Sequence, residues 1–392
     1  MRKEARVART RQMVMGLTFF VGFVLLFTLV ATRQHGIGAS HQLRGKIAVL
    51  WVFTGEPTFY WKWSLATLLN AGADRINVHM FIGVGPERLD EYRLQLRDYA
   101  QADKVLFHSM TPEDWKLRIS SKMGINITYP LESLGRKVAD FKPCLGDLFQ
   151  DLLPVKEYAF WVYGDSDGFF GSYNQMLNYS VVPLYDVVGG QPEPPKGSEV
   201  WSSIPGQWVP NYCTGGWTMM RNTRRVNTLY RRSRDWQKML TSPDYRSFDE
   251  DSTHLESMQK VLKNGADDLR RCCINSRTPQ VLAERASPGA PQKMFIAGMD
   301  EAYVSGSSTL RAHWQAGRGL VVNVEGNLGR EKRYRNETNE VLFMHFLQFK
   351  YCCGKQLFDA MKAFLASQPN ILNLRCFKLF GTAPKSFTFE TC

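Results

Sequence analysis

The sequence has no internal repeat and no low-complexity tract. That excludes a solenoid or propeller, whose periods are visible in sequence, and leaves a single folded body as the simplest organisation. No helix-turn-helix, zinc-finger or aromatic-basic signature accompanies the basic residues, so nucleic acid is not an expected partner. The cysteines include the adjacent pairs Cys272–Cys273 and Cys352–Cys353, without Cys-x-x-Cys spacing or nearby histidine partners, which speaks against zinc. Acidic residues are the minority, 37 against 49 Lys and Arg, for a net charge of +12. Such a surplus favours anionic partners such as phosphates or acidic lipid. It is spread over Arg2–Arg11, Arg224–Arg234 and Arg330–Arg335 rather than gathered in one tract.

Charge is missing altogether from the 19 residues Met13 to Ala31. At 1.5 Å per residue a helix of that length spans about 28 Å, close to the hydrocarbon thickness of a bilayer. Five basic residues precede it (Arg2, Lys3, Arg6, Arg9, Arg11) against Glu4. The positive-inside rule then keeps the N-terminus cytoplasmic and translocates the body. A cleaved signal peptide is the alternative, but the run exceeds a signal h-region and no Ala-x-Ala ends it. The expected organisation is a cytoplasmic tail at 1–12, a transmembrane signal-anchor at 13–31, a short stem at 32–45 and a catalytic domain at 46–392. Such a type II protein would belong to the Golgi or ER membrane, with its body luminal. Sequons at Asn126, Asn178 and Asn336 and eight cysteines fit that compartment, although neither pairing nor occupancy can be read from them.

From Lys46 onward short apolar runs alternate with helical periodicity. "KIAVLWVFTG", "INVHMFIG", "KVLFHSM" and "EYAFWVYGDSD" read as strands. "WKWSLATLLNAG", "RLDEYRLQLRDYA" and "TPEDWKLRISSKMG" read as helices, the last with Thr111 as N-cap. "DFKPCLGDLFQDLL", with Pro143 early in it, reads as a further helix. "YDVVGG" and "VPNYCTGGWTMMRNT" are expected strands, "RRVNTLYRRSRDWQKML" a basic helix with a solvated face, and "GLVVNVEG" and "EVLFMHFLQFK" late strands. Strands separated by helices imply crossovers and a mixed, mostly parallel α/β sheet. Ligands of such sheets sit at the carboxyl ends of the strands.

At one such end stands "FWVYGDSDGFFG", Phe160 to Gly171, in which Asp165 and Asp167 flank Ser166. Two carboxylates this close repel unless a positive charge lies between them. Three readings compete. One aspartate caps a turn and the other is solvated. Or both hold a hard divalent cation, Mn²⁺ or Mg²⁺, against a phosphate. Or Asp165 is the nucleophile of a D-x-D phosphohydrolase, although Gly168 and Phe169 do not fit that pattern. Gly164 and Gly168 would free the backbone around the turn. Asp140 and Lys142, at a helix start shortly upstream, suit phosphate or nucleotide contacts, against the plainer reading of Lys142 as a surface lysine. His345, in "LFMHFLQFK", is either a core histidine or a metal ligand.

The ordered set "KVADFKPCLGDLF…EYAFWVYGDSDGFFG", "GGWTMMRN", "FDE" and "FMHFLQFK" resembles a large, little-characterised family grouped with nucleotide-sugar-dependent glycosyltransferases of the GT-A (Rossmann-like) fold. The resemblance covers roughly Lys46 to Lys350 and departs at Gly215-Gly216-Trp217, where the family has Ser-Gly-aromatic. It implies a sugar transferred from a UDP- or GDP-sugar to a glycan, protein or lipid acceptor. It also implies that Asp165 and Asp167 hold Mn²⁺ or Mg²⁺ on the diphosphate and that His345 completes the metal shell. Asp140 and Lys142 would contact the donor. Asp249 and Glu250 would deprotonate the acceptor if the enzyme inverts, or else cap a helix. Gly215 and Gly216 would line the acceptor side. The alternative from another class is a catalytically inactive, membrane-anchored scaffold of the same fold.

Overall fold

The computed structural model describes residues 43–392 except 71–73, 131–133, 178, 180–181, 191–215, 250–251, 253–254, 265–267, 270, 275–308, 317–318, 326–337, 342, 346, 369 and 383–385. The expected tail, anchor and most of the stem lie outside these residues, as do the sequons at Asn178 and Asn336. Among the described residues no helix is long and apolar enough to cross a membrane. Contacts divide the chain into two units. The described part of one is small: Leu43, Tyr179 and Val182–Leu184, with the Leu43 N–H donating to the Tyr179 carbonyl at 2.8 Å. The other, Arg44–Asn178 with Tyr185–Cys392, holds the sheets and the candidate site.

Its first four strands are β1 (Lys46–Phe53), β2 (Ile76–Ile82), β3 (Val105–Ser109) and β4 (Tyr158–Gly164). β1, β2 and β4 show no alternation. β2 is buried at every position and β1 nearly so, as expected of strands covered on both faces. Three short strands follow: β5 (Gly168–Phe170), β6 (Val187–Gly190) and β7 (Trp217–Arg221), then β8 (Arg271–Ile274). The main sheet runs β3-β2-β1-β4-β7-β6-β8. β1 pairs in parallel with both β2 and β4, β2 with β3, and β6 with β8, while β7 is antiparallel to its neighbours. The sheet is therefore mixed and mostly parallel, the Rossmann-like arrangement anticipated from the alternation of strands and helices. The chain winds outward through β2 and β3 and returns to the other side of β1 with β4. That reversal is a switch point, where the carboxyl ends of two parallel strands splay apart.

The helices Trp61–Asn70, Leu89–Gln95 and Pro112–Met123 form where periodicity placed them. Thr111 caps the last as expected, with Asp114 as the reciprocal partner of a capping box. Two expected helices are broken. "DFKPCLGDLF" is a 3₁₀ stretch over Val138–Cys144 followed by a single α turn at Leu145–Leu148. Pro143 lacks the N–H that an α-helix needs there. "RRVNTLYRRSRDWQKML" divides into Arg224–Asn227, Leu229–Arg232 and Trp236–Thr241, and its arginines are anchored as well as solvated. Arg225 pairs with Asp186, Arg231 with Asp147 and Arg232 with Asp268.

A second sheet is antiparallel. β9 (Thr309–Gln315), β10 (Gly319–Glu325) and β11 (Thr338–Val341) join β13 (Cys376–Thr382) and β14 (Ser386–Thr391) in the order β11-β10-β9-β13-β14. β12 (Phe343–His345) pairs with β5. The expected strand "EVLFMHFLQFK" is strand only to His345, and Leu347 opens a helix that runs to Ser367. Trp63 joins the layers, with no exposed surface and ring centroids 4.6 to 5.1 Å from Phe169, Phe364, Phe377 and Phe389. The Trp314 indole N–H donates to the Phe170 carbonyl at 3.0 Å. Cys376 and Cys392 are joined by a disulfide, and Cys144 is a buried free thiol.

Candidate active site

A cavity of about 300 Å³ opens at the β1/β4 switch. That volume is at the lower end for small-molecule sites. Leu50, Val52 and Phe53 from the end of β1 form one wall, and Gly164, Asp165, Ser166 and Asp167 from the end of β4 form another. Thr58 and Tyr60 line it as well. The remaining wall comes from the stretch that replaces the expected helix. A 3₁₀ helix has three residues per turn, so side chains at i and i+3 eclipse. Ala139 and Lys142, three apart on the 3₁₀ stretch, line the cavity with Val138, joined by Arg136 from the α turn before it (Leu134–Lys137) and Leu145 from the turn after it. Asp140 and Pro143, also three apart on the 3₁₀ stretch, are buried, as is Lys137 at the end of the preceding α turn.

This phase separates two residues that were expected to act together. Lys142 reaches the acidic turn, with its Nζ 2.7 Å from Asp165 Oδ1 and 3.4 Å from Asp249 Oδ2. Asp140 does not line the cavity and has 0% exposure. Its Oδ2 accepts from Lys137 Nζ at 2.7 Å and from the Arg246 N–H at 2.8 Å, and its Oδ1 accepts from the Phe248 N–H at 2.7 Å. The donor contact expected of Asp140 is thus replaced by an architectural one. Asp140 grips the backbone on both sides of Ser247, which sits at φ 54°, a left-handed conformation costly for a serine. That grip fixes the start of the segment leading to Asp249. Lys137, buried against Asp140, has its ammonium pKa lowered by burial, a drop that the Asp140 charge opposes.

Asp249 is also placed differently from expectation. Its side chain is 1% exposed and accepts from the Tyr245 hydroxyl at 2.9 Å on the oxygen opposite Lys142. The Arg136 guanidinium, on the cavity rim, lies 4.9 Å over the Tyr245 ring. Arg136, Tyr245, Asp249, Lys142 and Asp165 therefore form a continuous chain from the rim to the acidic turn. A base must reach the hydroxyl it deprotonates. Asp249 instead orients the lysine. Glu250 lies outside the described residues, as does Gly215. Gly216 is buried behind the turn, where its carbonyl accepts the Asp165 N–H at 3.1 Å. It supports Asp165 rather than lining an acceptor surface. A Cβ on Gly164 would meet that same Gly216 carbonyl at 2.6 Å. Gly164 is therefore required for close approach of β4 and β7, and not for unusual backbone freedom.

His345 comes close to the turn through its main chain. Strand register sets it opposite Gly168, the residue after Asp167. Its side chain lies outside the description. Asp165 and Asp167 offer hard oxygen donors on one turn of the cavity wall, the type of set that Mn²⁺ or Mg²⁺ takes. Lys142 already holds one positive charge against Asp165. Tyr60, Arg136 and Tyr245 were not anticipated from sequence. Burial raises the Tyr60 hydroxyl pKa above its ordinary value, a hydrogen bond with Thr58 lowers it, and the Asp165 charge raises it again.

The strand order and this site define an α/β protein with a charged pocket at the carboxyl ends of parallel strands. The chain belongs to a family described as Family of unknown function (DUF6625), whose profile matches residues 95–373. Comparison with curated proteins gives no match. Among solved structures, the chain is similar to the crystal structure of an active-site mutant of LgtC, with 13% identity and a TM-score of 0.27. The likeness covers 51% of this chain and 65% of that one, so the match spans just under two thirds of the other's length.

Proposed function

We propose that the chain is a metal-dependent glycosyltransferase of GT-A type that uses a nucleotide-sugar donor, a UDP- or GDP-sugar. The observation that carries this reading is the pocket at the β1/β4 switch, where Lys142 bridges Asp165 and Asp249 beside Asp167. A sugar nucleotide departs as a diphosphate, so negative charge develops on the leaving group and must be met by fixed positive charge. Lys142 and Arg136 share one face of the cavity and supply part of it. A Mn²⁺ or Mg²⁺ ion held by Asp165 and Asp167 would supply the rest by neutralising the departing diphosphate. Asp249 and Tyr245 hold Lys142 and Arg136 in place, so neither cation needs to be ordered when substrate arrives. Glu250, next to Asp249, is the candidate base for an acceptor hydroxyl, and His345 is proposed to complete the metal shell. Residues 13–31 would anchor the body, 46–392, on the luminal side of the Golgi or ER membrane.

The test is a panel of UDP- and GDP-sugars with the full chain in detergent, with and without Mn²⁺. Donor hydrolysis or transfer should require the metal and fall on the order of 1000-fold in Asp165→Asn and Asp167→Asn, the scale of several kcal/mol of lost charge stabilisation. Absence of turnover with every donor, and of any thermal shift with nucleotide plus Mn²⁺, would favour the inactive scaffold. Phosphatase activity lost in Asp165→Asn without any nucleotide requirement would favour the phosphohydrolase.

A further inference from the structure

Far from the acidic turn in sequence, three metal-ligating side chains meet on the antiparallel sheet. His313 is on β9, Cys376 opens the adjacent β13, and Cys392 follows β14 on the far side of β13. His313 Nε2 lies 3.1 Å from Cys376 Sγ and 3.5 Å from Cys392 Sγ. One ligand atom from each residue lies within 4.8 Å of the other two. In a tetrahedral zinc site, bonds of about 2.3 Å to sulfur and 2.0–2.1 Å to nitrogen put neighbouring S and N ligands roughly 3.6 Å apart. The two histidine–sulfur edges are already close to that spacing. The remaining sulfur–sulfur edge is closed by the Cys376–Cys392 disulfide, across a Cα–Cα distance of 5.4 Å.

We propose that these residues form a redox-gated zinc site. A dithiol reductant transfers two electrons and two protons to the disulfide, is itself oxidised to a cyclic disulfide, and leaves two cysteine thiols. Zn²⁺ then displaces the two thiol protons and binds both thiolates and His313 Nε2, with water in the fourth position. The disulfide and the metal are alternative ways of tying β13 to β14. Access is open, because His313 and Cys392 are exposed and Cys376 is partly so. The ligands also sort the metals. Thiolate and imidazole select zinc, whereas the Asp165/Asp167 carboxylates select harder cations. Phe377, next to Cys376, packs 4.7 Å from Phe169, two residues beyond Asp167, so the site lies at the base of the layer that supports the acidic turn. The inference does not rest on the glycosyltransferase reading.

The experiment uses the full chain, reduced with dithiothreitol, desalted under nitrogen and titrated with Co²⁺ as the probe. Reduced protein should take up one equivalent with a thiolate-to-cobalt charge-transfer band and tetrahedral d–d absorption, both displaced by Zn²⁺. Oxidised protein should give neither, and cobalt at the aspartates would lack the charge-transfer band. His313→Ala, at an exposed position whose folding is checked by circular dichroism, should weaken cobalt binding at least tenfold. Cys376→Ser/Cys392→Ser should abolish the band. The proposal is overturned if reduced protein gives no charge-transfer band, if the band survives in the double serine variant and so belongs to other cysteines, or if His313→Ala binds cobalt as tightly as the parent.

Discussion

At the residue scale, one carboxylate organises the site from behind. Asp140 holds Lys137 and the backbone around Ser247, that backbone leads to Asp249, and Asp249 holds Lys142 against Asp165. Breaking a buried ion pair by removing one partner leaves an uncompensated charge and costs about 3–5 kcal/mol. Asp140→Asn should therefore destabilise the fold by about that amount, even though asparagine keeps the shape. Chemical denaturation measures it, and a loss below about 1 kcal/mol would contradict the assignment. Lys137, at the end of an α turn, enters the core, whereas Lys142, on the 3₁₀ stretch, lines the cavity.

At the element scale, β2 and β3 carry a histidine pair, His79 buried and His108 partly so. His79 and His108 stack with ring centroids 5.2 Å apart, and His79 Nδ1 lies 3.1 Å from His108 Nε2. Burial first, then the His108 charge, lowers the His79 pKa from 6.5 to about 3. Burial first, then Arg118 and Arg93 against the opposing Asp151, lowers His108 from 6.5 to about 4. Both rings are neutral when folded, but the unfolded chain takes up protons below about pH 6.5. Stability is therefore fully present above pH 6.5 and is lost as pH falls toward about 4 and below, at up to about 1.4 kcal/mol per pH unit for each proton withheld. Denaturation midpoints measured from pH 7 to 4 should show that slope, and His108→Gln should flatten it. An equal slope in the variant would assign the acid sensitivity elsewhere. The strands themselves were legible in sequence because they are continuous apolar runs bounded by turns. The broken helices were not, because apolar spacing alone does not distinguish a 3₁₀ stripe from an α-helical one.

At the scale of the whole unit, Trp63 ties the antiparallel sheet to the short strand that follows the acidic turn. The aromatic cluster around it joins the Trp61–Asn70 helix, β5, β13, β14 and the C-terminal helix, so the strand that follows Asp167 is held from the far side. Trp63→Ala should cost about 3–5 kcal/mol, the usual range for deleting a buried aromatic. Since Phe169 lies in that cluster, the same variant should lower the proposed Mn²⁺-dependent donor turnover, measured at temperatures where it remains folded. Full turnover in a folded Trp63→Ala protein would show that the acidic turn does not depend on this support.

The sequence by itself determined where strands and most helices lie, that an acidic pair ends a buried strand, and that a charge-free segment precedes the body. These features are local, written in hydrophobic period, turn residues and short motifs. The tertiary structure decided which residues face the cavity, that Gly216 holds Asp165 from behind, that His345 runs opposite Gly168, and that Cys376 meets both Cys392 and His313. These are pairings between residues far apart in the chain. No local pattern records them, because sheet register and helix phase are set by how whole elements bury their faces against one another.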